Sequence, residues 1–331
     1  MSNILLLGAG FSRNWGGWLA SEVFDYLLGC PEITGNAALR RALWRSKDQG
    51  GFEQTLALLQ SDPSFSPSER AGAAQPFEAA LVRTFSDMNV GLLGLTDLEF
   101  PTSHPWKVAQ FLAGFDAIFT LNQDLLLEHR YMPQIPSADY GARAWRGAQM
   151  PGLKLMPGSE EGASDGWAPR IWTDSGRTLL DSSLQPVFKL HGSTNWRTAD
   201  GKHVIVFGAS KEQAIESNRL LRSYIEIFQE ALCRADTRLM VIGYGFGDKH
   251  INGVIGRGAE AGLKMFVIDP FGSDLARKRN PTRENRQVIC ATDAERLFEL
   301  CLVGSSRRTL REIFLGDLVE MGKLRRFLTA Q

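Results

Sequence analysis

The sequence predicts an α/β protein built on a parallel sheet. Ile4–Leu7 is a continuous apolar run, as expected of a strand buried on both faces of such a sheet. Gly8, Ala9 and Gly10 then end the run with residues small enough for the backbone to approach a bound group closely. Further apolar runs that end in glycine or polar residues recur along the chain. Together these patterns favour a Rossmann-like arrangement with a ligand site at the strand ends.

The first glycine turn is typical of a phosphate-binding element. Ser12 can cap or line the start of the next helix, where free N–H groups and the helix dipole favour an anion. The full dinucleotide fingerprint is absent, because Arg13 replaces its third glycine and Asp25 lies in an amphipathic helical pattern instead of at a strand end. A glycine turn that only packs a helix on a strand is the alternative.

Composition narrows the class of protein. The 331 residues are 44% hydrophobic and 22% charged, as in an ordinary globular protein, and basic and acidic residues number 37 each. This balance argues against direct, sequence-specific binding of nucleic acid and against membrane association. The apolar run at residues 4–7 is too short for a signal peptide or a membrane span. Four scattered cysteines without a Cys-x-x-Cys pair predict buried thiols in a cytoplasmic protein, and no metal site.

A helical module is predicted between the first two strands. After a helix at 18–28, residues 36 to 113 contain no convincing strand. Helical spacing covers 37–44, 52–59, 76–88 and 105–115.

The second strand, 116–124, runs out into polar residues. Thr120, Asn122 and Asp124 fall at its carboxyl end, where ligands bind in open α/β sheets. An Asx turn that caps a helix at 125–131 is an alternative that explains Asp124 but makes no demand on Asn122.

The middle of the chain changes character. Residues 132–185 are rich in Pro, Gly and Ser and predict a long irregular excursion, with a short hairpin near 170–180, that could cover the site as a lid. His191 then ends another apolar strand, although a lone histidine is more often structural.

The C-terminal half repeats the opening pattern. A strand is predicted at 202–207 and an amphipathic helix at 216–234. The apolar run from Arg238 ends in Gly243, Tyr244 and Gly245. The next strand ends in Asp269, which can hold ribose hydroxyls or simply form a turn before Pro270. A final helix is predicted at about 307–328.

Four strand-end motifs, in this order, resemble the NAD-binding core of sirtuins. They are Gly8-Ala-Gly-Phe-Ser12, Thr120-Leu-Asn-Gln-Asp124, Leu190-His-Gly192 and Gly243-Tyr-Gly-Phe-Gly-Asp248. The last continues to Lys-His-Ile-Asn252 and is similar to the SIR2-like domains of bacterial antiphage defence. The paired cysteines of the sirtuin zinc ribbon and the Gly-Ile-Pro-Asp-Phe-Arg segment are missing, which argues against acyl-lysine chemistry.

The resemblance implies an NAD site across the strand ends. It implies Asn122 and His191 as catalytic residues, with Asn122 orienting the ribose or the attacking water and His191 accepting a proton. The expected NAD-binding residues are Gly8, Ala9, Gly10, Ser12, Thr120, Asp124, Gly243, Tyr244, Gly245 and Asp269. The expected domains are a NAD-binding core at 1–35 and 114–270, a helical insertion at 36–113 and a C-terminal helical region at 271–331.

The implied activity is cleavage of NAD+ to nicotinamide and ADP-ribose by a cytoplasmic effector of abortive infection. Partners implied by the family are a HerA-like ATPase or a short Argonaute-type protein, and homo-oligomers occur. The C-terminal helix and the helical insertion are the expected contact surfaces. Two alternatives remain open at this point: an NAD-dependent protein deacylase, and a non-catalytic subunit that senses NAD or ADP-ribose.

Overall fold

The computed structural model describes residues 1–47, 51–101, 106–133, 147–159, 170–208, 211–278 and 292–329. Its strands are β1 Ser2–Leu7, β2 Ala117–Thr120, β3 Ala148–Gln149, β4 Leu153–Leu155, β5 Trp172–Asp174, β6 Gln185–Lys189, β7 Gly192–Arg197, β8 His203–Ile205, β9 Thr237–Ile242, β10 Lys264–Ile268 and β11 Leu302–Ser306. Seven of them form the main sheet in the order β11-β10-β9-β1-β2-β6-β3, and each neighbouring pair is parallel.

This strand order is that of a doubly wound, Rossmann-like sheet. β2, β6 and β3 lie on one side of β1, and the chain then crosses to the other side of β1 for β9, β10 and β11. The direction reverses between β1 and β9, and ligands of such sheets bind at the carboxyl ends beside this switch point. The predicted fold class is confirmed.

The apolar run of β1 is divided between two hydrophobic cores. Ile4 and Leu6 belong to one buried cluster, whereas Leu5 and Leu7 belong to another on the opposite face. Alternate residues of a strand point to opposite faces, so a strand with a core on each side needs a continuous apolar sequence.

Helices cover both faces and form a separate group between β1 and β2. They are α1 Ala9–Ser12, α2 Ala20–Gly29, α3 Pro31–Thr34, α4 Ala37–Ser46, α5 Thr55–Ser61, α6 Pro67–Ala71, α7 Ala74–Leu93, α8 Val108–Ala113, α9 Leu126–Arg130, α10 Lys211–Ser217, α11 Arg219–Leu232, α12 Lys249–Glu260, α13 Leu275–Lys278, α14 Asp293–Cys301, α15 Leu310–Phe314 and α16 Leu318–Thr329. Among the described residues, none of these helices combines the length and apolar character needed to cross a membrane.

The inserted helices have a core of their own. It begins at Val23 in α2 and ends at Leu81, midway along α7. Met88 and Leu92, further along α7, pack instead with the main sheet. The described part of 36–113 contains no strand, as predicted, but packing also groups α2 and α3 with the insertion.

A second, four-stranded sheet was not predicted. It has the order β4-β5-β7-β8 and takes in part of the segment interpreted as irregular. The expected hairpin near 170–180 is wrong, because β5 pairs with β4 and β7 instead of with a strand inside that range. The lid expectation for 132–185 falls partly on residues outside the described ranges.

The C-terminal region also departs from the prediction. β11 forms the edge of the main sheet beside β10, although 271–331 was expected to be helical and to lie after the core. The expected helix at 307–328 is two helices, α15 and α16, separated by Gly316 at φ +125°. Glycine adopts such an angle without the steric penalty that a side chain brings.

Candidate functional site

Strand register aligns the predicted motifs at one edge of the sheet. Leu7, the last residue of β1, pairs with Ile242 of β9 and Thr120 of β2. Thr120 in turn pairs with Lys189 of β6, and Ile242 with Ile268 of β10. The residues that follow these strands therefore start from the same level at the carboxyl edge, which brings the four motifs into one row.

The two glycine loops are packed backbone against backbone. The amide of Gly8 donates to the carbonyl of Ile242 at 2.9 Å, and that of Gly10 donates to the carbonyl of Gly243 at 3.0 Å. A Cβ on Gly8 would lie 2.5 Å from the Gly243 oxygen, and one on Gly243 would lie 2.5 Å from Gly10. Close packing thus requires these glycines, and the amides of Gly8 and Gly10 already have partners. Ala9, between them, is exposed.

Asn122 is anchored to the first glycine turn by its side chain. Its Nδ2 donates to the Gly8 carbonyl at 3.0 Å and to the Ser12 hydroxyl at 2.9 Å. Its backbone amide donates to Oγ1 of Thr120 at 3.0 Å. The structure therefore brings together four of the residues that the sequence predicted for the site.

Asp124 continues this network while capping the following helix. One carboxylate oxygen accepts the amide of Leu126 at 3.0 Å, which is the Asx turn considered from the sequence. Burial raises the pKa of Asp124, although the positive charge of Lys189, the amide of Leu126 and the Ser12 hydroxyl act in the opposite direction. The Ser12 hydroxyl therefore holds the Asn122 amide and favours the charged form of Asp124, and the capping and site interpretations are compatible.

His191 lies where β6 gives way to β7. The turn depends on Gly192, whose φ is +75° and whose added Cβ would lie 2.0 Å from the Val204 carbonyl oxygen. The His191 side chain is 4% exposed, and its Nε2 lies 3.0 Å from Nε2 of His250. Burial lowers the pKa of His191 to about 3, so its imidazole is neutral at pH 7. A neutral imidazole retains a lone pair for accepting a proton.

Three charged residues adjoin the histidine pair. Lys211 pairs with Asp248 at 2.8 Å and with Glu53 of the inserted helices at 2.7 Å. Burial alone would raise the pKa of Asp248, but the charge of the Lys211 ammonium and its hydrogen bond lower it. Burial lowers the pKa of His250, the largest effect on that ring.

The sequence interpretation gave no site role to these charged residues or to His250. The signal for two of them was present, since Asp248 and His250 belong to the Gly243–Asn252 motif. Lys211 and Glu53 lie in segments without a recognisable motif, so only the three-dimensional structure shows their proximity.

Tyr244 supports the second glycine loop from inside. It is 4% exposed, and its hydroxyl donates to Oδ1 of Asn252 at 2.9 Å while accepting the amide of Asp248 at 3.1 Å. Asn252 also donates to the carbonyl of Phe246, a residue with φ +53°. The motif thus holds its own loop in an uncommon backbone conformation.

Asp269 lies one strand beyond this loop. Its carboxylate accepts the amide of Phe271 at 2.9 Å, and its backbone amide donates to the Ser306 carbonyl at 3.1 Å. Asp269 therefore lies at the carboxyl edge of the sheet, as predicted, and forms the turn that the sequence analysis gave as one of its two interpretations.

Comparisons with known proteins relate this geometry to a family. A mutant Sir2 homologue in complex with ADP-ribose is 11% identical, with a TM-score of 0.43 over 100% of this chain and 94% of the other. A Sir2 homologue in complex with NAD is 13% identical, with a TM-score of 0.43 over 99% of this chain and 91% of the other. A search of curated proteins gave no match. A family model described as a SIR2-like domain matches residues 116–289, more than half of the chain. The protein therefore belongs to the family of SIR2-like domains.

Proposed function

We propose that this protein is an NAD+ glycohydrolase that cleaves NAD+ to nicotinamide and ADP-ribose. The observation that carries the proposal is the anchoring of Asn122 to Gly8 and Ser12, after a strand that pairs with β6, the strand that precedes His191. An amide held by two hydrogen bonds is a pre-oriented group, and a neutral imidazole carries a lone pair that can accept a proton.

The roles of the residues follow from the chemistry of N-glycosidic bond cleavage. The transition state resembles an oxocarbenium ion, which demands a positioned nucleophile and stabilisation of positive charge on the ribose. Asn122 orients the nicotinamide ribose or the attacking water. His191 accepts the proton from that water or from a ribose hydroxyl, and Asp124 holds the ribose side of the site.

The rest of NAD would lie along the strand ends. Since the amides of Gly8 and Gly10 have backbone partners, these glycines would contribute close approach, with exposed Ala9 facing the pyrophosphate. Gly245 would border the pyrophosphate and Asp269 the adenosine ribose. Tyr244 would act by holding its loop, because its hydroxyl is bonded to Asn252 and Asp248.

Water is the proposed acceptor in place of an acyl-lysine. The sequence has four cysteines and no Cys-x-x-Cys pair for a sirtuin zinc ribbon. Resemblance to antiphage SIR2-like domains supports a wider proposal: a cytoplasmic effector of abortive infection that depletes NAD+. Such an effector requires restraint, through a homo-oligomer or a partner such as a HerA-like ATPase or a short Argonaute-type protein.

The test is product analysis with the purified protein. Wild type, Asn122→Ala and His191→Ala are incubated with NAD+, alone and with the neighbouring gene product, and products are separated by chromatography. His203→Ala is the matched control, since His203 lies on β8 in the second sheet. Nicotinamide and ADP-ribose formed by wild type and control, and lost in both site variants, are the expected result.

Two results would overturn the proposal. Binding of NAD+ without turnover, even with the neighbouring gene product, would replace it with the sensor function. Formation of O-acetyl-ADP-ribose only when an acetyl-lysine peptide is added would replace it with the deacylase function.

A further inference from the structure

Three potential metal ligands converge at the edge of the proposed site. His191 follows β6, Asp248 closes the second glycine loop, and His250 lies in the first turn of α12. One ligand atom from each residue lies within 4.8 Å of the other two, and the two Nε2 atoms are 3.0 Å apart. All three side chains are buried or half-buried.

The separation of the imidazole nitrogens is close to what a tetrahedral metal imposes. Zinc binds histidine nitrogen at about 2.0–2.1 Å, so two ligands of a tetrahedral site lie about 3.3 Å apart. His191 and His250 therefore need only a small displacement to bind one ion, and a carboxylate oxygen of Asp248 lies within 4.8 Å of a nitrogen of each ring. When two neutral imidazoles face each other through Nε2, one Nε2 must carry a proton and donate it to the lone pair of the other. A metal ion can instead accept the Nε2 lone pairs of both rings.

Charge at this position also favours a cation. The charged groups acting on the two rings include the carboxylates of Asp248 and Glu212 and the ammonium of Lys211. Lys211 is itself paired with Glu53 at 2.7 Å, so it retains an acidic partner if Asp248 turns to an ion. The two carboxylates, of Asp248 and Glu212, outnumber the one ammonium and leave an excess of negative charge around the histidines.

We propose that His191, Asp248 and His250 form a Zn2+-binding site, and that its occupation inhibits the enzyme. The donor set of two imidazoles and one carboxylate suits zinc and leaves a fourth position open. The inhibitory half of the inference rests on the proposed function: Nε2 of His191 cannot accept a proton while it holds the metal.

Metal binding is tested directly, apart from activity. Metal-free full-length protein carrying Cys233→Ser and Cys290→Ser, which removes competing thiols, is titrated with Zn2+ against a chromogenic chelator. Co2+ absorption reports the coordination geometry. One equivalent with a tetrahedral Co2+ spectrum is expected, with affinity at least about 100-fold lower in His250→Ala and unchanged in His203→Ala.

Folding is checked by circular dichroism and by thermal unfolding, and Asp248→Asn provides a second variant if His250→Ala does not fold. Equal Zn2+ affinity in wild type and a folded site variant would overturn the site. So would an octahedral Co2+ spectrum, which indicates a loosely held hydrated ion.

Activity separates this inference from the proposed function. Saturating Zn2+ should abolish NAD+ hydrolysis by the wild type, and a chelator should restore it. Full hydrolysis at saturating Zn2+ would overturn the inhibitory half. Tight, His250-dependent binding in a protein that hydrolyses no NAD+, even with the neighbouring gene product, would support the site while overturning the proposed function.

Discussion

Gly10 and Gly243 are in direct backbone contact at the point where the sheet reverses its winding. The Gly10 amide donates to the Gly243 carbonyl at 3.0 Å, and Gly243 has φ +65°. We expect Gly243→Ala to lower the free energy of unfolding by at least about 2 kcal/mol, measured by urea denaturation. Its Cβ would lie 2.5 Å from Gly10 in a backbone region that side chains disfavour.

Gly256→Ala is the matched control for this substitution. Gly256 lies within α12, and a Cβ there would meet nothing within 4 Å. Alanine is the better helix former, so this variant should gain up to about 1 kcal/mol. Equal effects at both positions would contradict the interpretation that close packing of the two glycine loops requires glycine at position 243.

The row of site residues could be predicted because each residue belongs to a local sequence pattern. An apolar run followed by glycine or polar residues marks the carboxyl end of a parallel strand, and parallel strands share that edge. Asn122 and His191 were placed at strand ends in this way, whereas their catalytic roles came from the resemblance to sirtuins. The Asn122–Ser12 contact was not, since it joins residues 110 positions apart.

The elements missed by sequence analysis have weak local signals. β11 is an edge strand with exposed Val303, and Gly304 in its middle packs against the ring of Phe266. In β7 the buried residues include polar Ser193 and Asn195, whose side chains donate to Glu128 and to the Arg170 carbonyl, distant in the chain. These segments are strands because of contacts made in the folded structure and not because of a hydrophobic alternation in their sequence.

Substitution of Ser12 tests the hydrogen bonding that orients the side-chain amide of Asn122, the proposed catalytic group. Ser12→Ala removes the hydroxyl that accepts a hydrogen bond from Nδ2 of Asn122 at 2.9 Å. A hydrogen bond between neutral groups contributes about 0.5–1.5 kcal/mol, so we expect kcat for NAD+ hydrolysis to fall about 2- to 10-fold. Steady-state kinetics measures this.

A buried hydroxyl within the inserted helices, that of Ser46, provides a control that separates catalysis from stability. Ser46 is fully buried among the inserted helices and lies 2.9 Å from the Thr55 hydroxyl. Ser46→Ala should lower stability by about 1 kcal/mol and leave kcat unchanged. If both serine variants lost activity in proportion to their stability, the positioning role of Ser12 would be excluded.

Cysteine reactivity should divide according to burial. Cys233 is exposed, whereas burial raises the pKa of Cys301 to about 12 and also raises that of Cys30. Thiolate is the reactive form, so a raised pKa suppresses alkylation near pH 8. In a Cys290→Ser background, maleimide should label one thiol rapidly, and Cys233→Ser should remove that labelling. Rapid labelling that survives Cys233→Ser would contradict the buried placement of the other two.

Lys189 and Glu128 form a buried ion pair behind the site. Their side chains are 2% and 8% exposed, their charged atoms are 2.6 Å apart, and Lys189 also donates to the Asp124 carbonyl and to Ser193. Lys189→Met leaves Glu128 buried without its counter-charge, so we expect a loss of about 3–5 kcal/mol in urea denaturation.

A double-mutant cycle shows whether the loss of stability in Lys189→Met comes from the unpaired charge of Glu128 or from lost packing. Because an apolar pair carries no desolvation penalty, Lys189→Met combined with Glu128→Leu should recover most of the stability lost in Lys189→Met alone. The exposed pair of Lys202 with Asp200 is the control: its side chains are 80% and 61% exposed, and Lys202→Met should change stability by less than about 0.5 kcal/mol. If the double variant were no more stable than Lys189→Met, the loss would come from the hydrogen bonds to Asp124 and Ser193, and Lys189 would act chiefly as a brace for the loop that carries the site.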